Sequence, residues 1–206
     1  LQAIFLDRDG TLNRERADYV KSWSEYEWLP GALAALAQLA TLQLPILVIT
    51  NQSAVGRGII SIDGLSSVHA QARAEAEACG GRIDEFFVCP HTPGDGCDCR
   101  KPKPGLLLAA AARYDLDLER CVFVGDSITD MQAAVAGGCT SILLRTGRQG
   151  DTLDSMLAAL EGAAANTQVV DDLSAAVALL ITPAVGAPAS AAIAASHLHF
   201  EKKSCE

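Results

Sequence analysis

Six short apolar runs alternate with helix-like stretches along most of this chain, and that rhythm constrains its fold more than any other feature. The runs are AIFLD (3–7), PILVIT (45–50), EFFVCP (85–90), CVFVGD (121–126), TSILLR (140–145) and, more weakly, TQVVDD (167–172). Helices are predicted between and after them, over 31–43, 63–79, 105–114, 129–137, 152–164 and 173–181. Strands without polar alternation are buried on both faces, and parallel strands need crossover helices. The fold class is therefore α/β, a doubly wound parallel sheet. One domain over residues 1–182 takes up all of these segments. Residues 183–206 open with PAVGAPASAAIAAS, which reads as an Ala/Pro-rich C-terminal extension.

Charge narrows the choice of ligand. A net charge of -9 argues against binding a nucleic-acid backbone. Yet Arg14, Arg16, Arg57, Arg100, Lys101, Lys103, Arg145 and Arg148 all fall in or beside predicted loops, which suits a small anionic ligand. No apolar run approaches the roughly eighteen residues that span a bilayer, so no membrane segment is expected. With a strand expected from residue 3, no secretory leader is expected. Seven cysteines, several crowded around one loop, read as thiols in a reducing compartment together with a metal site. The expected location is the cytoplasm, and the expected state a monomer.

In a doubly wound sheet, ligands gather at the carboxyl ends of the strands. The polar residues there are Asp7 and Asp9, Thr50 and Asn51, and Asp126. While the chain stays extended, residues two apart project to one side, so Asp7 and Asp9 are expected to share a site. Two such carboxylates repel unless a cation lies between them. A lone Asp after a strand is ordinarily a helix cap or a turn residue. Three acids gathered at two strand ends instead point to Mg²⁺, which prefers oxygen ligands and keeps room for phosphate. Asp130, one helical turn beyond Asp126, would orient that site from behind. Phosphoryl chemistry also needs donors for the equatorial oxygens, and Thr50, Asn51, Arg100 and Lys101 are placed to supply them.

Taken in order, DRDGT, TNQ, the lysine of RKPKPG, and GDSITD resemble the motifs of the haloacid-dehalogenase-like phosphatase superfamily, in its DxD subgroup. The resemblance implies a Rossmann-like domain and a Mg²⁺-dependent phosphatase. Asp7 would be the nucleophile that forms an aspartyl-phosphate, and Asp9 the general acid and base. Thr50 and Lys101 would hold the phosphoryl oxygens. The Mg²⁺ ligands would be Asp7, Asp126 and the Asp9 carbonyl. Tyr19, Asn51, Gln52, Ser53 and Arg100 would contact substrate.

The loop CPHTPGDGCDC presents Cys89-x-His91 and Cys97-x-Cys99. Three thiolates and an imidazole make a closed tetrahedral set, so a structural Zn²⁺ is expected. That loop leads directly into Arg100 and Lys101. Cys79, Cys121 and Cys139 are expected to pack as ordinary apolar side chains, and Cys205 has no ligand spacing.

The intervals from Asp9 to Thr50 and from Asn51 to Lys101 are mostly filled by helices that the sheet needs. No large cap domain is expected, only the flap RERADYVKSWSEYEWLPG (14–31) and the zinc loop. The resemblance leaves two substrates in view, a heptose bisphosphate and histidinol phosphate. Arg14, Arg16, Arg57 and Arg100 suit a second phosphate or sugar hydroxyls better than a cationic amine, which favours the sugar. Ser127 stands where some similar chains carry a basic residue. A non-catalytic, zinc-stabilised interaction module is the reading from another class, and such a scaffold has no need of Asp7 and Asp9.

Overall fold

The computed structural model describes residues 1–147 and 167–182. Six strands form one sheet: β1 (Ala3–Leu6), β2 (Ile46–Asn51), β3 (Glu85–Cys89), β4 (Cys121–Gly125), β5 (Thr140–Leu144) and β6 (Thr167–Val170). Their order is β3-β2-β1-β4-β5-β6, and every pairing is parallel. The chain winds outward from β1 to β3, then returns to β4 and winds the other way. The order reverses between β1 and β4, where a crevice opens at the strand ends. In register, Leu6 faces Val48 on one side and Val124 on the other. Asp7, Thr50 and Asp126 therefore leave the sheet along one edge.

Both sheet faces are apolar, as uninterrupted hydrophobic strands require. Ile4, Leu6, Val48, Val122 and Val124 point to one layer, which holds α1 (Ala32–Ala40) and α6 (Leu173–Ile181). Phe5, Leu47, Ile49 and Phe123 point to the other, under α4 (Gly105–Tyr114) and α5 (Ile128–Gly137). Each such fully buried side chain contributes about 1.5–3 kcal/mol. The remaining α-helices among the described residues are a single turn, α2 (Ser53–Gly56), and the long α3 (Ile62–Ala78).

Local chemistry sets the helix starts. The Ser61 hydroxyl accepts from Gly64 N at 3.0 Å and opens α3. Asp172 accepts from Ala175 N at 2.8 Å and opens α6. The helix predicted over 152–164 and the extension over 183–206 lie outside the described residues.

The flap packs on α3. Val20 and Tyr26 are buried against Val68 and Ala72, and Trp28 Nε1 donates to Glu75 Oε2 at 2.9 Å. Between Asp9 and Thr50 the chain builds only this flap, α1 and the first residues of β2. Between Asn51 and Lys101 it builds α2, α3, β3 and the cysteine loop. Neither interval holds a cap domain.

Candidate active site

A cavity of about 480 Å³ opens at the carboxyl edge of the sheet, within the usual range for small-molecule sites. The residues expected to act on phosphate, Asp7, Asp9, Thr50, Lys101 and Asp126, all line it. Those expected to contact substrate, Tyr19, Asn51, Gln52, Ser53 and Arg100, line it too. Arg16 also lines it, held by Asp18 at 3.1 Å. Arg14 and Arg57 do not reach it: Arg14 pairs with Glu27 at the surface, and Arg57 is exposed.

Carboxylate oxygens of Asp7, Asp126 and Asp130 lie within 4.8 Å of one another. The Lys101 ammonium enters this cluster, 2.8 Å from Asp7 and 2.6 Å from Asp130. Its third bond goes to Ile49 O at 2.9 Å, so the buried cation is fully engaged. Burial works against the charge on Lys101, yet Asp130 and Asp7 more than compensate and raise its pKa. Asp130 is fixed further as the far half of a capping box, accepting from Ser127 N at 3.0 Å and Ser127 Oγ at 2.7 Å.

Three acids around one ammonium leave negative charge unbalanced. Burial, then the charge of Asp130, pushes Asp7 up to about 7 in spite of Lys101. Burial, then Asp7 and Asp130, raises Asp126 well above the usual carboxylate range. An oxygen site this acidic and this buried fits a divalent cation, which Asp7, Asp126 and Asp130 could hold. The surrounding backbone comes close. Gly10, at φ +82, approaches the Asp126 carboxylate so nearly that a Cβ would run into it, and only glycine meets both demands readily.

Asp9 does not join that cluster. The strand ends at Leu6 and the chain turns through Gly10, so the two carboxylates share the cavity as expected but not one cluster of oxygens. The Asp9 carboxylate instead accepts from Arg8 Nη2 at 2.7 and 2.8 Å, from Asn13 Nδ2 at 3.0 Å and from Gln52 Nε2 at 2.7 Å. Burial alone would raise the Asp9 pKa, but the Arg8 charge and these bonds outweigh it and hold it below the usual value.

Two of the side chains expected on substrate are engaged within the protein. The Asn51 amide donates to Lys101 O at 3.2 Å and accepts from Lys101 N at 3.1 Å, so it pins the lysine backbone. The Gln52 amide ties Asp9 to Thr50, with its second bond to Thr50 Oγ1 at 2.8 Å. That arrangement leaves the Thr50 O–H to donate into the cavity. Tyr19, at φ +66, holds a backbone conformation that non-glycine residues seldom adopt.

The cysteine loop closes beside the site. Sγ–Sγ distances are 3.7 Å for Cys89–Cys97 and 3.5 Å for Cys97–Cys99, and His91 Nδ1 lies 3.7 and 3.2 Å from Cys89 and Cys99. A tetrahedral ion with Zn–S bonds of about 2.3 Å would set sulfur–sulfur edges near ~3.8 Å. Burial, then its two thiol neighbours, pushes Cys99 up to about 12, so three thiolates here need a cation. Arg100 Nη1 donates to His91 O at 3.2 Å, which ties the loop to the cavity. Cys121 and Cys139 are buried as expected. Cys79 departs from that expectation: half-buried at the end of α3, it is disulfide-bonded rather than packed as an apolar thiol.

Sequence reasoning missed Arg8, Asn13 and His69. Arg8 is 1% exposed, and the one local hint was a cation set between two acids just past a strand. For His69, on a mostly polar helix, the sequence held no signal.

Residues 98–176 match the HAD-hydrolase-like family model. The chain is 40% identical over 175 residues to D-glycero-beta-D-manno-heptose-1,7-bisphosphate 7-phosphatase of Pseudomonas putida, covering 85% of this chain and 97% of the relative. It is equally 40% identical over 159 residues to D-glycero-alpha-D-manno-heptose-1,7-bisphosphate 7-phosphatase of Mycobacterium tuberculosis, covering 74% and 84%. Among solved structures, the D,D-heptose 1,7-bisphosphate phosphatase of Bordetella bronchiseptica, complexed with magnesium and phosphate, superposes with a TM-score of 0.81 at 40% identity. That match covers 88% of this chain and 98% of the other. The acidic cluster with its buried lysine, the six-stranded sheet and these likenesses agree: the chain is a phosphatase of the HAD-like hydrolases and belongs to the family of the heptose-1,7-bisphosphate 7-phosphatases.

Proposed function

We propose that this chain removes the 7-phosphate of D-glycero-D-manno-heptose 1,7-bisphosphate, a step toward nucleotide-activated heptose. The observation that carries the reading is the Asp7–Lys101 contact of 2.8 Å, set against Asp126 at the topological switch point. In this reading Asp7 attacks phosphorus and forms an aspartyl-phosphate, which water then hydrolyses. Thr50 Oγ1 and Lys101 Nζ donate to the equatorial phosphoryl oxygens, and the Asp7 end of the lysine's contacts is the one those oxygens share. Asp9 delivers a proton to the departing C7 alkoxide and later takes one from the attacking water. Approach of an anionic phosphoryl group favours the protonation this requires.

Mg²⁺, held by Asp7, Asp126 and the Asp9 carbonyl, supplies charge neutralisation at phosphorus. Arg16, Arg100, Tyr19 and Ser53 line the cavity where the rest of the sugar, with its second phosphate, would lie. Every group in this scheme comes from one chain, which supports action as a monomer. A cytoplasmic setting is part of this reading, supported by the closely spaced Cys89, Cys97 and Cys99 and opposed by the disulfide of Cys79.

Phosphate release with Mg²⁺ from heptose 1,7-bisphosphate, in both anomers, is to be compared with release from histidinol phosphate. The better heptose anomer is expected to exceed histidinol phosphate by about 10²-fold or more in kcat/KM. Slow, similar rates on all three would remove the substrate reading.

Zn²⁺ in the cysteine loop is the second cofactor of this reading, with Cys89, His91, Cys97 and Cys99 as ligands. Cys97→Ser should lose bound zinc, unfold at lower temperature and turn over more slowly, because the loop positions Arg100 and Lys101. A full equivalent of zinc in that variant would exclude Cys97 as a ligand.

A further inference from the structure

The carboxylate expected to move protons is held by a buried arginine, and that arginine is held in turn by a side chain from outside the site. Arg8 Nη2 sits between the two Asp9 oxygens at 2.7 and 2.8 Å, and Arg8 Nη1 lies 3.1 Å from His69 Nε2. Among the described residues Arg8 Nε has no hydrogen-bond partner, so beyond its Asp9 contacts the one such bond of the guanidinium there is to His69. An arginine has no acceptor and does not give up its proton. The His69 ring must therefore accept at Nε2, as a neutral imidazole with its proton on Nδ1.

That ring is itself immobilised. It is 6% exposed on α3 and stacks on Phe86 of β3, with centroids 4.1 Å apart and planes 8° from parallel. Both partners belong to the scaffold rather than to the flap. Because the guanidinium is planar and rigid, anchoring Nη1 fixes the plane in which Nη2 points and so the direction from which Asp9 is gripped.

We infer that His69 is a positioning residue for the reaction: acting through Arg8, it sets the orientation of Asp9 toward the leaving oxygen. The inference rests on the reading of Asp9 as general acid and deepens it. A side chain sixty-one positions from Arg8, outside the lining of the cavity, would then tune proton delivery without touching substrate. Its effect should scale with how much the leaving group needs a proton. A sugar alkoxide needs one in the transition state, whereas p-nitrophenolate departs readily without it.

The test uses the full-length chain with Mg²⁺ and compares kcat/KM, which reports the phosphoryl-transfer step, for heptose bisphosphate and for p-nitrophenyl phosphate. His69→Phe keeps the ring stack and removes the acceptor, while His69→Gln restores an acceptor. His69→Phe should lower kcat/KM about tenfold on the sugar phosphate and less than about threefold on the aryl phosphate, a part of the roughly 10²–10⁴-fold that a general acid supplies. His69→Gln should stay within about threefold of the parent on both substrates.

Equal losses on the two substrates, or none, would overturn the positioning role. So would a failure of His69→Gln to recover the sugar-phosphate rate while its melting temperature matches the parent. Asp9→Asn separates the two layers of argument. If it also fails to discriminate between the leaving groups, the general-acid reading itself falls. If it discriminates and His69→Phe does not, only the role of His69 is removed.

Discussion

Asp7→Asn should lower kcat by about 10⁴-fold or more, the scale on which losing a nucleophile is felt. The amide is nearly isosteric and keeps an oxygen for the bonds from Arg8 N and Lys101 Nζ, at 2.7 and 2.8 Å in the parent. What it removes is the anionic oxygen that attacks phosphorus. Its neutral amide takes the place of a carboxylate that Asp126 and Asp130 repel. The variant should therefore fold at least as well as the parent in the presence of a chelator, and its loss of turnover cannot be assigned to unfolding. Single-turnover assays with acid quench should trap phosphorylated parent enzyme and none in the variant. Turnover within tenfold of the parent would remove the covalent mechanism. A parent without Mg²⁺-dependent turnover that this substitution abolishes would leave the non-catalytic zinc module standing.

Lys101→Met is expected to strike stability and turnover together. The ammonium is 3% exposed and makes its three bonds to Asp7, Asp130 and Ile49 O, with the Phe123 ring centroid 5.4 Å away. Methionine matches the stem and leaves three buried carboxylates with no cation among them. Breaking a buried ion pair from one side costs about 3–5 kcal/mol. Turnover should fall about 10²–10³-fold, as when one transition-state donor is lost. The pH dependence has a definite sign. Asp7 already titrates near 7 with the lysine present, and without that charge its folded pKa can only rise. A carboxyl whose folded pKa is raised favours folding below its unfolded value and loses that contribution as pH climbs through the folded one. In chelator, the variant should thus lie closest to the parent near pH 5 and fall furthest behind above pH 8. Equal denaturation midpoints for variant and parent across that window would show that Lys101 does not balance the acids.

Much of this could be read from the linear chain. The six strands lie where the apolar runs placed them, because residues buried on both faces must be hydrophobic at every position. Helices α4 and α6 span 105–114 and 173–181 as expected, α1, α3 and α5 lie within three residues of expectation at each end, and the single turn α2 was not expected. Asp7, Thr50, Lys101 and Asp126 meet in one cavity because a parallel, doubly wound sheet brings its strand ends to a common edge. The cysteine loop was equally legible, since ligand spacing within one short loop is a local property.

Other features were decided only in three dimensions. That Asp9 parts company with Asp7 depends on the turn at Gly10, which an alternation rule for strands does not contain. That Asn51 and Gln52 spend their amides on Lys101, Asp9 and Thr50 depends on how β2 and the cysteine loop approach each other. Most remote is the grip of His69 on Arg8. It exists because α3 lies at one azimuth against β3, and an azimuth is set by the packing of whole surfaces. Residue order dictated which groups stand at the strand ends; the close packing of helices on the sheet chose which of them touch.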